Sequence, residues 1–97
     1  MRRAARRDVS EAEVIGTCLS VGIQTEFIGQ PVDYVLAYRG HNYLCEIKRP
    51  FGPQGGQSRS TYTPAQLKFI KRWKGPIVTF RCAQDVLDWV TMLTATR

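Results

Sequence analysis

Two apolar, strand-like runs on either side of a short turn signal constrain this chain more than any other feature. Val32-Asp33-Tyr34-Val35-Leu36-Ala37-Tyr38 and Asn42-Tyr43-Leu44-Cys45-Glu46-Ile47-Lys48 are rich in β-branched and aromatic residues and flank Arg39-Gly40-His41, which is the pattern of a β-hairpin. A type II′ turn with Gly40-His41 as loop residues puts glycine at the position that needs φ > 0. That turn sets Arg39 opposite Asn42, Val35 opposite Glu46 and Asp33 opposite Lys48. Opposed residues share a face and side chains alternate with period two. Asp33, Glu46 and Lys48 are therefore expected to project from one side.

The other side of the hairpin carries Tyr34, Leu36, Tyr38, Tyr43, Cys45 and Ile47, and the charged side also carries Val35, Ala37 and Leu44. Both faces thus read as largely buried. An exposed Asp/Lys pair across two strands contributes only a few tenths of a kcal/mol and would need no further explanation. Charges on a strand covered from both sides are costly unless they are paired or hold a metal, so the pattern favours a functional cluster over a solvated ladder.

The rest of the chain supplies a frame. Ser10-Glu11-Ala12-Glu13 has the form of a capping box, and Val14, Ile15, Cys18, Leu19 and Val21 recur at helical spacing until Gly22, which predicts a first helix over residues 10–21. Residues 23–28 alternate as a strand, and Gly29-Gln30-Pro31 turns them into the hairpin. Residues 49–60 are rich in Pro, Gly and Ser and read as a loop leaving the charged cluster. Thr63 and Pro64 suit N-cap and N1 of a second helix. Leu67, Phe69, Ile70 and Trp73 form its packing arc, with Lys68, Lys71 and Arg72 on the opposite arc and Gly75-Pro76 as its stop. Ile77-Val78-Thr79-Phe80 reads as a buried strand, and Val86, Leu87, Val90 and Leu93 mark a last helix from about Ala83. The expected fold is α/β in the order αβββαβα, with a mixed four-stranded sheet flanked by helices.

Ninety-seven residues suffice for one domain with one modest core. Residues 1–9 are expected as a basic tail and residues 10–97 as the domain. A net charge of +6 and a pI near 9.7 favour a polyanionic partner. Arg2, Arg3, Arg6 and Arg7 crowd the N-terminus, where they serve either as a solubilising end or as contacts to a phosphate backbone. Arg49, Arg59, Lys68, Lys71 and Arg72 are candidate DNA-binding residues. Cys18, Cys45 and Cys82 sit in apolar segments without metal-type spacing and read as reduced thiols. No apolar run approaches the roughly 18 residues of a membrane span, and the basic start is not followed by a signal-peptide core. A soluble, cytoplasmic protein is expected, with no membrane partner.

In this order of elements the residues resemble the core of the PD-(D/E)XK nuclease superfamily. More narrowly, they resemble the small standalone members of the virus-type replication-repair nuclease (VRR-NUC) family of phages and bacteria. The resemblance is carried by Glu13, by Gly29-Gln30-Pro31-Val32-Asp33, by the stretch from Tyr38 to Lys48, and by Thr63-Pro64-Ala65-Gln66. It runs from about Arg7 to Val90. One departure is that Val32 stands between Pro31 and Asp33, where the family usually has Pro directly before the Asp. The resemblance implies a metal-dependent endonuclease of branched DNA, four-way (Holliday) junctions among them, working as a homodimer in phage-type DNA repair. It also implies that the Ile47 carbonyl is a third metal ligand and that Gln66 stands beside the active site.

The chemistry of the residues agrees. Phosphodiester hydrolysis calls for a hard divalent cation, Mg²⁺ or Mn²⁺, held by oxygen ligands, and Asp33 and Glu46 offer two. Lys48 would orient or deprotonate the attacking water, or offset charge in the transition state. Glu13 is either the capping partner of Ser10 or an additional acid near the metal. Gln66 is either the N3 residue of a capping box or part of the site. Trp89 and Met92 on the last helix belong either to a dimer interface or to the core. Two other functions stay open: a nucleic-acid-binding module that does not cut, and a phage packaging or assembly protein using the basic segment.

Overall fold

The computed structural model describes residues 2–49 and 62–95, with side chains from Glu11 onward. Arg59, most of the expected loop and the side chains of Arg2, Arg3, Arg6 and Arg7 lie outside it. The elements follow the expected order: α1 (Arg2–Ser20), β1 (Gln24–Phe27), β2 (Tyr34–Tyr38), β3 (His41–Ile47), α2 (Pro64–Arg72), β4 (Ile77–Phe80) and α3 (Ala83–Ala95).

The first helix departs from the sequence reading at its start. It begins at Arg2 rather than Ser10, so Ser10 lies inside the helix and is not its N-cap. Arg and Ala are strong helix formers, and the preceding Arg2–Val9 stretch continues the helix through the apparent capping motif. The end is as expected. Gly22 sits at φ +87, Ile23 N–H donates to Cys18 O at 2.9 Å and Gly22 N–H to Leu19 O at 3.2 Å, a Schellman cap that buries Ile23 beyond the helix.

The sheet has the order β1-β2-β3-β4, with β1·β2 and β2·β3 antiparallel and β3·β4 parallel. The hairpin turn differs from the expected one. Tyr38 pairs with His41, Val35 with Leu44 and Tyr34 with Cys45, so the loop residues are Arg39 and Gly40, at φ 51 and 84. Positive φ at both positions defines a type I′ turn, whose twist matches that of the strands. Arg39 takes this conformation with its guanidinium 5.3 Å from the Tyr38 ring centre. The register moves Asp33 from opposite Lys48 to opposite Glu46, one step beyond the Tyr34–Cys45 pair. This displacement of two positions preserves the faces.

On one face, Leu36, Tyr38, Cys45 and Phe80 join Val14 and Cys18 of α1, Ile23 and Val86 of α3 in a single buried cluster. Trp89 packs edge-on against Tyr43 and Phe80, with centroids 4.8 and 5.5 Å apart, so it is a core residue. Met92 remains 53% exposed. The opposite face carries the charged residues, and α2 lies on that side. Contrary to the expected packing arc, α2 buries none of its residues: Leu67 is 54% and Trp73 40% exposed, while Phe69 and Ile70 are half-buried.

Candidate active site

Asp33 enters the site from a tight turn at the start of β2. Its carbonyl accepts from Ile28 N–H (2.8 Å) and Gly29 N–H (3.1 Å), with Gly29 at φ +84 and Val32 buried beside it. Val32 thus serves as an apolar anchor of the turn. Asp33 N–H donates to Glu46 Oε1 at 3.1 Å, and Ile47 N–H donates to Asp33 Oδ2 at 2.9 Å. Each carboxylate is held by the backbone of the strand that bears the other.

Glu46 is 3% and Lys48 8% exposed. Lys48 Nζ stands 3.2 Å from Glu46 Oε2 and donates to Gln66 Oε1 at 3.0 Å, while Gln66 Nε2 donates to Glu46 Oε2 at 2.6 Å. Gln66 therefore satisfies both members of the buried ion pair. It also closes the capping box of α2: Gln66 Oε1 accepts from Thr63 N–H, and Thr63 Oγ1 accepts from Gln66 N–H, both at 3.1 Å. The capping reading of this glutamine holds, and the same side chain also reaches Glu46 and Lys48, because the first turn of α2 is aimed at the sheet where the charges emerge. Such polar satisfaction is what makes burial of a Lys–Glu pair tolerable, although a pair of this kind adds little net stability.

Asp33, Glu46, Lys48 and Gln66 are thus brought together. Ile47 contributes backbone at the same place through its N–H on Asp33. Glu13 is not brought in: it is exposed on α1, whose apolar residues pack on the other face. Among the described side chains of α1, the acid that reaches the sheet is Glu11, whose Oε2 accepts from Tyr34 Oη at 2.6 Å. Lys68, Lys71 and Arg72 are exposed along α2, and Arg49 is exposed just past Lys48.

Three neighbours were not singled out in the sequence. The Tyr62 hydroxyl hydrogen-bonds that of Thr79, which pairs with Glu46 on β4. The Tyr62 ring lies 5.4 Å from Lys48 Nζ. Burial pushes the Tyr62 phenol up, Glu46 adds to the shift, and Arg81 opposes it. Arg81 shares its face with Thr79 by strand alternation, and its Nη1 donates to Arg49 O at 3.0 Å. A hint existed in the i, i+2 placement of Thr79 and Arg81, but parallel pairing with β3 fixes their neighbours and has no local signal.

Among the described residues no three or more His, Cys, Asp or Glu side chains cluster as a self-contained metal cage. The donor set instead suits a hard ion that keeps part of its water shell. Mg²⁺ sites commonly use one or two carboxylates and complete their coordination with water and phosphate oxygens. Asp33 and Glu46 are the two carboxylates here that could hold such an ion, with Lys48 against Glu46 and Arg81 close by. Comparison with protein-family models, curated proteins and solved structures finds no match to this chain.

Proposed function

We propose that this protein is a divalent-metal-dependent endonuclease that hydrolyses phosphodiester bonds in DNA. The carrying observation is the convergence of half-buried Asp33 and Gln66 on buried Glu46 and Lys48, which joins the acidic pair and the ammonium in one hydrogen-bonded unit. Asp33 and Glu46, with the Ile47 carbonyl, would hold Mg²⁺ or Mn²⁺, and the ion would supply Lewis acidity and an activated water. Lys48, fixed by Gln66 and Glu46, would orient that water or stabilise charge gathering on the phosphorus oxygens. Exposed Lys68, Lys71 and Arg72 support a phosphate-contacting role for α2.

The finer reading is a structure-selective enzyme of the VRR-NUC type, acting in the cytoplasm as a homodimer on branched DNA, four-way junctions in particular. Paired incisions need two symmetry-related centres, and one domain of this size carries one. No helix among the described residues is long and apolar enough to cross a membrane. The test is a titration of Mg²⁺ and Mn²⁺ with purified protein on a flap, a splayed arm, a four-way junction and plain duplex, alongside light scattering. Metal-dependent product, most abundant with branched DNA, is expected. Absence of product at every metal concentration on all four substrates would exclude the nuclease and leave the binding module or the assembly protein.

A further inference from the structure

The helix that delivers Gln66 carries an aromatic pair outside the buried core cluster. Phe69 and Trp73 are stacked, with centroids 5.3 Å apart and planes at 28°. The Arg72 guanidinium lies 5.3 Å from the Phe69 ring centre. Trp73 is fixed rather than free to collapse: its Nε1–H donates to Pro76 O at 3.3 Å, and it sits so close over Gly75 that a Cβ there would meet the indole at 2.9 Å. An indole 40% exposed and held in one orientation, at the C-cap of a helix with no fully buried residue, offers apolar surface that a partner can cover.

The surrounding charge identifies what covers it. Lys68, Lys71, Arg72 and Lys74 are all exposed around the pair, and the sequence has no Asp or Glu between Glu46 and Asp85. A second copy of the chain docking here about a two-fold axis would set these cations against themselves. A protein partner would have to be strongly acidic and aromatic-binding together. Unpaired DNA meets both demands, since its phosphates pair with the cations while its bases stack on aromatic rings irrespective of sequence.

We infer that the Phe69–Trp73 pair and the cations of α2 form a stacking platform for unpaired nucleotides of DNA. The platform and the carboxylate cluster share α2, so single-stranded nucleotides beside a branch would be held next to the scissile duplex. This rests on the nucleic-acid part of the function proposed above and not on cleavage. Stacking on such platforms is typically worth about tenfold in affinity per base.

The experiment follows tryptophan fluorescence of the full chain in EDTA while oligo(dT), an abasic oligonucleotide of equal length, or duplex is added. Trp89, packed among Tyr43 and Phe80, supplies a constant background. Quenching by oligo(dT), with affinity about tenfold above the abasic strand, is expected. With the strands carrying a fluorescein label and binding read by anisotropy, since these variants lack the reporting indole, Trp73→Ala should abolish that preference while keeping salt-dependent binding, and Trp73→Phe should retain most of it. Equal affinity of the wild type for oligo(dT) and the abasic strand overturns the platform but leaves DNA binding standing. An unchanged preference in Trp73→Ala also overturns it, and failure to bind any of the three strands overturns the nucleic-acid reading with it.

Discussion

Cys45 and Glu46 are consecutive residues of β3, almost equally withdrawn from solvent, and they belong to two different kinds of interior. On the Cys45 side, α1 and α3 press aliphatic and aromatic groups against the sheet, and the buried thiols of Cys18 and Cys45 stay neutral, with burial pushing Cys18 up to about 11 and Cys45 higher still. On the Glu46 side, a single helix with no buried residue is tied down by the amide of Gln66. Apolar burial is proportional to area and indifferent to direction. The charged side depends instead on a few bonds of fixed geometry, which is the arrangement that positions reacting groups and contributes little to stability.

If that division is right, substitutions on the two faces dissociate. Asp33→Asn keeps the shape of the side chain and an acceptor for Ile47 N–H but removes a charge of the proposed metal site. Cleavage should fall by about 10²–10³-fold or more, while the urea midpoint stays near that of the wild type. A nicking assay beside an unfolding curve reads both. Wild-type turnover in Asp33→Asn would remove the carboxylate face from the proposed chemistry.

Leu36→Ala tests the opposite face. It empties a fully buried position between the helices and the sheet and should cost about 2–5 kcal/mol in denaturant unfolding. The folded fraction should retain its cleavage rate at low temperature. A specific activity that drops in step with Asp33→Asn would mean that the two faces are mechanically coupled.

Much of this contrast was legible in the chain, for a physical reason. The turn residues are Arg39-Gly40 and not the expected Gly40-His41, yet a shift of two positions returns every side chain to the same face, so Asp33, Glu46 and Lys48 still converge. The role of Gln66 was legible as a capping motif, since Thr63, Pro64 and Gln66 are adjacent in sequence. What escaped depends on non-local geometry. Periodicity shows that α2 has an apolar arc but not whether anything covers it. Thr79 meets Glu46 through the parallel β3·β4 pairing, whose register follows from a long crossover, and Tyr62 reaches Lys48 and Thr79 from the residues just before α2. The Ser10–Glu13 motif misled because the same residues are equally at home within a helix that starts earlier.

The thiols offer a smaller and pH-dependent handle on the apolar face. Cys18 and Cys45 have folded-state pKa values above their ordinary 9.0. Below pH 9 both forms of the chain hold neutral thiols and the stabilising contribution is complete. As pH rises past 9 the unfolded thiols ionise first, so stability should decline progressively towards pH 11 and beyond. Melting curves from pH 7 to 11 check this, with Cys18→Ala flattening part of the slope. A slope that Cys18→Ala leaves unchanged would show that other groups dominate the alkaline transition.

The smallest effect sharpens how the charged face is held. Thr63 touches neither Glu46 nor Lys48, but its hydroxyl accepts from Gln66 N–H and its own N–H donates to Gln66 Oε1, the oxygen that also receives Lys48. Thr63→Ala removes one cap bond and should cost about 0.5–2 kcal/mol of stability. Because the same turn aims Gln66, the variant should also lose several-fold in cleavage rate, whereas Thr63→Ser, which keeps the accepting hydroxyl, should lose neither. Measured together, unfolding free energy and single-turnover rate separate two cases. A rate that follows the cap means that the first turn of α2 positions Gln66 and, through it, Lys48. A stability loss with an unchanged rate would mean that the Glu46–Lys48 pair holds Gln66 without help, so that the charged face organises itself and α2 merely rests on it.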